Sequence, residues 1–221
     1  KREAEQGADA FLVENWESAY YLNKLKAEKF LFDPISIRPY FQYEKVKDGI
    51  MNLASEIFSV RFEKVDDRTV WHKSVEVYTV LDGEKGTRLG RILLNMHPRD
   101  GKFKHAAQMG LHRGVKGRQL PEGVLMCNFP DPSTTSGPAL MEHGQVKTFF
   151  HEFGHLIHHL MARSHKWVTQ GGITTEWDFV EAPSQILEEW AWAPEVLARF
   201  AKHVESGKTI PTELVEKLRK S

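Results

Sequence analysis

A single cysteine, Cys127, stands among 221 residues, so the chain can form neither an internal disulfide nor a cysteine-rich zinc site. Such sparing thiol use fits a reducing compartment, and a cytoplasmic location is expected. Charge of neither sign is in excess: 30 basic and 30 acidic residues give a formal net charge of zero. No basic block is present that could track a phosphate backbone, which argues against nucleic acid as a partner. No apolar run approaches the roughly 18 residues that span a bilayer, which argues against a membrane. Internal repeats and low-complexity linkers are also missing. The opening KREAEQGADAF has no initiator methionine and no apolar signal-peptide core, and it reads as the start of a processed or excised piece. What is there is an ordinary globular composition, 41% hydrophobic and 27% charged, enough for one substantial domain or part of a larger one.

Along the chain, residues 1–29 carry few helix breakers and read as helical, with a turn at Asp33-Pro34. Val46, Ile50, Leu53, Ala54 and Ile57 recur at helical spacing and predict a helix over 43–58. SVEVYTVL (74–81) and TRLGRILLNMHP (87–98) flank the turn cluster DGEKG and predict a hairpin. Residues 99–122 read as a long glycine-rich loop, and GVLMCNF (123–129) as a short strand. From Met141 onward the pattern is helical again. Helices, a small sheet, then helices indicate an α+β, mostly helical fold rather than alternating βαβ units.

The stretch FFHEFGHLIHHL (149–160) sets four histidines and a glutamate in an otherwise apolar run. On a helix, residues i and i+4 share a face, so His151 and His155 can offer two imidazole nitrogens to one ion. Glu152 follows the first histidine, where its carboxylate reaches a water without being a ligand. This is the H-E-x-x-H arrangement of zinc hydrolases. Phe149, Phe150, Phe153, Leu156, Ile157 and Leu160 form an apolar stripe, and a packed, metal-free core helix would also show one. Burying imidazole and carboxylate beside that stripe without partners would cost about 2–7 kcal/mol per group, which a metal offsets. Gly154 costs roughly 1 kcal/mol against alanine in mid-helix, so another segment is expected to approach the backbone there.

Catalytic zinc takes three protein ligands. His158 lies at i+7 from His151, but three imidazoles on one straight rod wrap poorly around a tetrahedral ion. A carboxylate from a second helix is the better geometry, and TTEWDFVEAPSQILEEWAW (174–192) supplies several. Pro183 suits a first helical turn and Glu181 sits at its opening. Glu176, Asp178, Glu188 and Glu189 remain open alternatives. Trp177, Trp190 and Trp192 read as packing residues.

Together, FFHEFGHLIHHL and WDFVEAPSQILEEWAW resemble the thimet oligopeptidase and oligopeptidase A family of zinc metallopeptidases. ENWESAYYLNKL, DPISIRPYFQYEKVKDGI, LNMHPRDGKFKHAA, LPEGVLMCNFPDP and PEVLARFAKHVESGKTIPTELVEKL are similar as well, so the resemblance covers nearly the whole chain. It implies a thermolysin-like zincin core with a small sheet and an H-E-x-x-H helix, truncated at both ends relative to the family. It implies one Zn2+ per chain held by His151, His155 and Glu181, with Glu152 as general base. The implied activity is hydrolysis of short peptides, by endopeptidase or dipeptide-releasing action. GVLMCNF is expected near the cleft as an edge strand to which an extended peptide can add. Gln185 and Glu188 share the helical face of Glu181 and are candidates to support the ligands from behind.

The whole of 1–221 then reads as one partial catalytic domain: a helical lead-in over 1–60, a small sheet region over 74–129 and zinc-site helices over 141–221. In the family, a histidine and tyrosines well beyond the third ligand stabilise the oxyanion. Here Tyr20, Tyr21, Tyr40, Tyr43 and Tyr78 all precede the motif, and His203 is the only histidine after Glu181. The alternative expectation is a zinc-loaded but inactive peptide-binding fragment, or a split subunit that needs the missing remainder of the peptidase or a complementing chain.

Overall fold

The computed structural model describes residue 7 and residues 13–30, 34–66 and 69–220. Most of the helix expected before residue 13, and Asp33 of the Asp33-Pro34 turn, lie outside those residues. Helix α1 (Ser18–Phe30) and a 3-10 segment (Pro34–Tyr40) lead into α2 (Tyr43–Phe58). Helix α2 buries Val46, Ile50, Leu53 and Ala54 as the spacing predicts, together with Tyr43, Lys47 and Met51. Ile57 does not join them; it is 42% exposed, because Ser59 turns the chain into the left-handed region (φ 50°) immediately afterwards. Lys47 is only 5% exposed and is tolerated there because its ammonium meets Glu44 (2.6 Å) and Glu76 (2.9 Å).

Five strands follow: β1 (Val60–Val65), β2 (Glu76–Asp82), β3 (Arg88–Asn95), β4 (Ala107–His112) and β5 (Glu122–Met126). They form one sheet in the order β1-β2-β3-β5-β4. The expected hairpin is β2–β3, antiparallel, with the Asp82 carboxylate accepting from the amides of Glu84 (3.1 Å) and Lys85 (2.8 Å) in its turn. Strands β3 and β5 run parallel, and Arg91 and Glu122, opposite one another in that register, form an ion pair.

Two expectations need correction here. Part of the expected loop 99–122 is strand β4, whose residues are mostly exposed and so show no apolar alternation. As a consequence β5 is not an edge: it lies between β3 and β4, and its Gly123, Val124 and Leu125 are buried. The edge strand on this side of the sheet is β4.

Helix α3 (His143–Met161) packs across this sheet. Phe149, Phe150, Phe153, Leu156, Ile157 and Leu160 are all buried, in one core with Ile92, Leu94 and Leu125 of the strands. Residues 162–181 contain only a short 3-10 turn instead of continuous helix, and α4 (Ala182–Glu189), α5 (Pro194–Phe200) and α6 (Thr212–Lys220) complete the described chain. The outcome is a mixed α/β fold around a five-stranded sheet. No helix among the described residues is long and apolar enough to cross a membrane.

Candidate metal centre

Helix α3 begins where the Glu142 amide donates to the Gln145 side chain (3.0 Å), which satisfies one of the amides that a helix start leaves open. Its apolar stripe fixes the helix rotation against the sheet. That rotation leaves His151 half-buried and His155 buried on one flank, with ring centroids 5.0 Å apart and planes at 83°.

The second element is brought in by the absence of a side chain. A Cβ on Gly154 would lie 2.7 Å from the Cα of Ser184 and 3.1 Å from the Pro183 carbonyl oxygen. Thus α4 rests its first turn directly on the α3 backbone. Beyond the far end of α4, the buried His143 imidazole donates to the Ala191 carbonyl (2.8 Å). These two contacts place Glu181, at the mouth of α4, over both histidines. Its Oε2 lies 3.1 Å from His155 Nε2 and 3.2 Å from His151 Nε2. The Ser184 hydroxyl donates to both the Glu181 carbonyl (2.8 Å) and Oε2 (3.0 Å), holding the carboxylate back over its own helix start.

His151 Nδ1 donates to Glu188 Oε2 (2.9 Å), whose other oxygen meets Lys147 Nζ (3.0 Å). A proton on Nδ1 leaves the neutral ring's Nε2 lone pair pointing at Glu181. Two acceptors at 3.2 Å repel each other unless a proton or a metal cation lies between them. Tetrahedral bonds of about 2.0–2.1 Å separate neighbouring ligand atoms by about 3.3 Å. The two separations are close to that value, and one donor atom from each of His151, His155 and Glu181 falls within 4.8 Å of the others. The donor set therefore fits a divalent ion. Partial burial raises the Glu181 carboxyl, but the Ser184 hydroxyl and positive charge on the side of His155 and His151 outweigh it and hold the group below the usual range, the direction a cation between them would also give.

The other residues singled out from the sequence fall in different places. His158 is half-buried and outside the converging group, and burial, then His155 and His159, lower its pKa. Glu176 is exposed and accepts from Thr175, Asp178 is exposed, and Glu189 faces Arg219 at 3.8 Å. Glu188 stands behind His151 as its spacing suggests. Gln185 is exposed and its side chain makes no hydrogen bond among the described residues; Ser184 is the neighbour that supports Glu181. Glu152 is half-buried and has no hydrogen bond or ion pair among the described residues. Trp190 and Trp192 pack against the core, but Trp177 is 93% exposed. Ser184 and Lys147 were missed by the sequence reading. The signals were a hydroxyl three residues after Glu181, and a cation one turn before His151.

Comparison with known proteins finds relatives over nearly the whole chain. The chain is 36% identical to saccharolysin of Saccharomyces cerevisiae, over 98% of its own length and 32% of that protein's. It is 35% identical to oligopeptidase A of Escherichia coli over 97% of its length and 32% of the relative's. For dipeptidyl carboxypeptidase of Escherichia coli the figures are 36%, 95% and 30%. The chain thus spans about a third of the length of these curated relatives. The match to Peptidase family M3 extends over residues 1–221, and the chain belongs to that family of peptidases.

Proposed function

We propose that this chain carries the zinc-binding centre of a metallopeptidase that hydrolyses peptide bonds in short peptides. The observation that carries it is the convergence of His151, His155 and Glu181 while Glu188 holds the His151 tautomer. Two imidazoles and a carboxylate suit Zn2+, one ion per chain. When bound, such an ion supplies Lewis-acid polarisation of the scissile carbonyl. The protein's own residues supply the remainder. Glu152, one position from a ligand and unpaired among the described residues, takes a proton from the attacking water and returns it to the leaving amine. Ser184 and Glu188 orient Glu181 and His151. The free edge of β4 offers main-chain groups to an extended peptide.

The finer family reading, a thermolysin-like zincin core, is supported by the helix pair beside a small sheet. A single domain is supported by the main apolar core, which draws residues from Ile37 to Leu218, beside a smaller cluster of Val75, Val77, Leu93 and Val124. A second reading, zinc-loaded and peptide-binding but inactive alone, is favoured by the tyrosines. Their contacts lie elsewhere: Tyr43 on His97, Tyr78 on Glu76, Tyr40 on His203 and Tyr20 on Tyr21. Oxyanion donors would then come from the remainder of the peptidase or a complementing chain. Loss of one such donor typically lowers turnover about 100- to 1,000-fold.

The test is cleavage of a quenched fluorescent peptide by the zinc-loaded chain, beside Glu152→Gln. The mutant is expected to retain one zinc and to lose cleavage. Equal turnover in both would remove Glu152 from the base role, and a zinc-free preparation would overturn the centre itself. One zinc with no cleavage in the parent would select the second reading.

A further inference from the structure

One turn beyond His155 on α3, His159 is 2% exposed and takes no part in the metal group. Its Nε2 lies 2.9 Å from the His112 carbonyl oxygen and 3.1 Å from that of Glu122. One N–H therefore bridges the two strands β4 and β5. His112 and Glu122 are register partners, and they are the pair at which the β4–β5 ladder resumes after the irregularity that begins at Gly110. Bulges bend a strand and re-aim it, so the group that fixes one also fixes where the strand edge points.

The ring occupies a slot that three glycines leave open. A Cβ on Gly110 would lie 2.5 Å from its Cε1, one on Gly123 3.2 Å from its Cδ2, and one on Gly172 2.9 Å from its Nδ1. Gly172 also has φ +77°, which favours glycine independently. The slot brings β4, β5 and the segment after α3 against one imidazole. Burial lowers the His159 pKa against the two carbonyl hydrogen bonds that raise it, so the ring is held neutral with a single N–H to give.

On the reading of β4 as the strand that receives the peptide, we propose that His159 is a positioning residue for substrate. It sets the height and register of the β4 edge over α3, and so the offset between a bound peptide backbone and the metal group. His155 and His159 are four residues apart, about 6 Å along the helix axis. A rigid helix thus carries the metal group at one turn and the strand clamp at the next. A displacement of about 1 Å at such a site can cost 100-fold in rate. A histidine that merely fills the core would stabilise the fold without setting the affinity for peptide, and this difference makes the proposal testable.

The experiment uses the zinc-loaded Glu152→Gln chain, which retains substrate uncleaved, and a fluorescein-labelled extended peptide of about ten residues. Three readouts are taken: zinc affinity by chelator competition, peptide affinity by anisotropy, and amide hydrogen exchange at residues 107–112. His159→Phe, which keeps bulk and loses the N–H, is expected to leave zinc affinity within twofold of the parent. Peptide affinity should fall about tenfold or more and β4 amides should exchange faster. His159→Gln, which restores an N–H donor, should recover much of both. If His159→Phe does not fold, Gly110→Ala is the second variant, since its methyl must push β4 away from an intact His159. Unchanged peptide affinity in either folded variant overturns the proposal and leaves the zinc-peptidase reading intact. A parent that binds zinc, protects β4 and binds no peptide overturns the peptide-strand reading, and the role of His159 with it.

Discussion

The Cα of Ser184 stands 2.7 Å from the point at which a side chain on Gly154 would begin. This one approach sets how near α4 comes to α3, and hence how near the Glu181 carboxylate comes to the two imidazoles. In Gly154→Ala, the helix-propensity gain of about 1 kcal/mol is set against overpacking of about 1–3 kcal/mol, because the obstacle is backbone and cannot rotate away. The expected result is a modest net loss of stability with a larger loss of zinc affinity, read by thermal unfolding and chelator competition. Gly144→Ala, on the same helix with nothing within 4 Å, should instead stabilise by about 0.5 kcal/mol. Equal behaviour of the two variants would show that the approach of α4 does not govern the centre.

Glu188 is expected to matter for metal and little for folding. Glu188→Ala removes the acceptor of His151 Nδ1–H and the partner of Lys147. Zinc affinity should drop about 10- to 100-fold. The far-ultraviolet circular dichroism should be unchanged, and undiminished zinc affinity would exclude a role for Glu188 in presenting His151.

Metal removal should loosen the α3–α4 pair selectively. A ligand at a thousandfold excess over its dissociation constant adds about 4 kcal/mol to folded-state stability. Chelation should therefore lower the midpoint of thermal unfolding, with the largest rise in amide exchange over 176–189. A uniform rise across sheet and helices would contradict the local assembly described above.

Away from the centre, Glu76 contributes to the acid limb of stability. Its carboxylate accepts from Lys47 (2.9 Å), from Lys64 and from the Tyr78 hydroxyl (3.2 Å). Burial raises the Glu76 carboxyl, but the two ammonium groups outweigh it and hold it below its ordinary 4.5. A carboxyl depressed by folding stabilises fully above its unfolded pKa and loses that contribution as the pH falls through the folded one. Stability should thus decline below about pH 4.5. Glu76→Gln should flatten that decline and lower stability at pH 7 by about 3 kcal/mol, since the buried Lys47 keeps only Glu44. Denaturant titrations at pH 3 and 7 check both statements.

The elements legible in the sequence were those whose pattern reports burial directly. The stripe on α3, the β2–β3 hairpin and the closeness demanded at Gly154 each follow from a periodicity or from a locally unfavourable residue that needs a tertiary reason. Strand β4 was not legible, because an exposed edge carries neither alternation nor an apolar run. Mistaking it for loop made β5 look like an edge. Helical spacing put Glu188 and Gln185 on one face; the structure sets Glu188 against His151 and leaves Gln185 exposed. Spacing could not anticipate that the Glu181 carboxylate folds back onto the Ser184 hydroxyl at a helix start. Trp177 illustrates the same limit, since composition favours burial of tryptophan while its position in an irregular turn leaves it outside.

The His155–Glu181 contact closes a loop of 26 residues, whereas the Gln42–Lys202 hydrogen bond ties positions 160 apart. Closing the shorter loop costs about 1.5 kcal/mol less chain entropy than closing the longer one. The centre can therefore assemble before Gln42 and Lys202 find each other. A fold arranged in this way separates the order of its chemistry from the order of its closure: the donors of the candidate centre meet across a far shorter stretch of chain than the one that closes the domain.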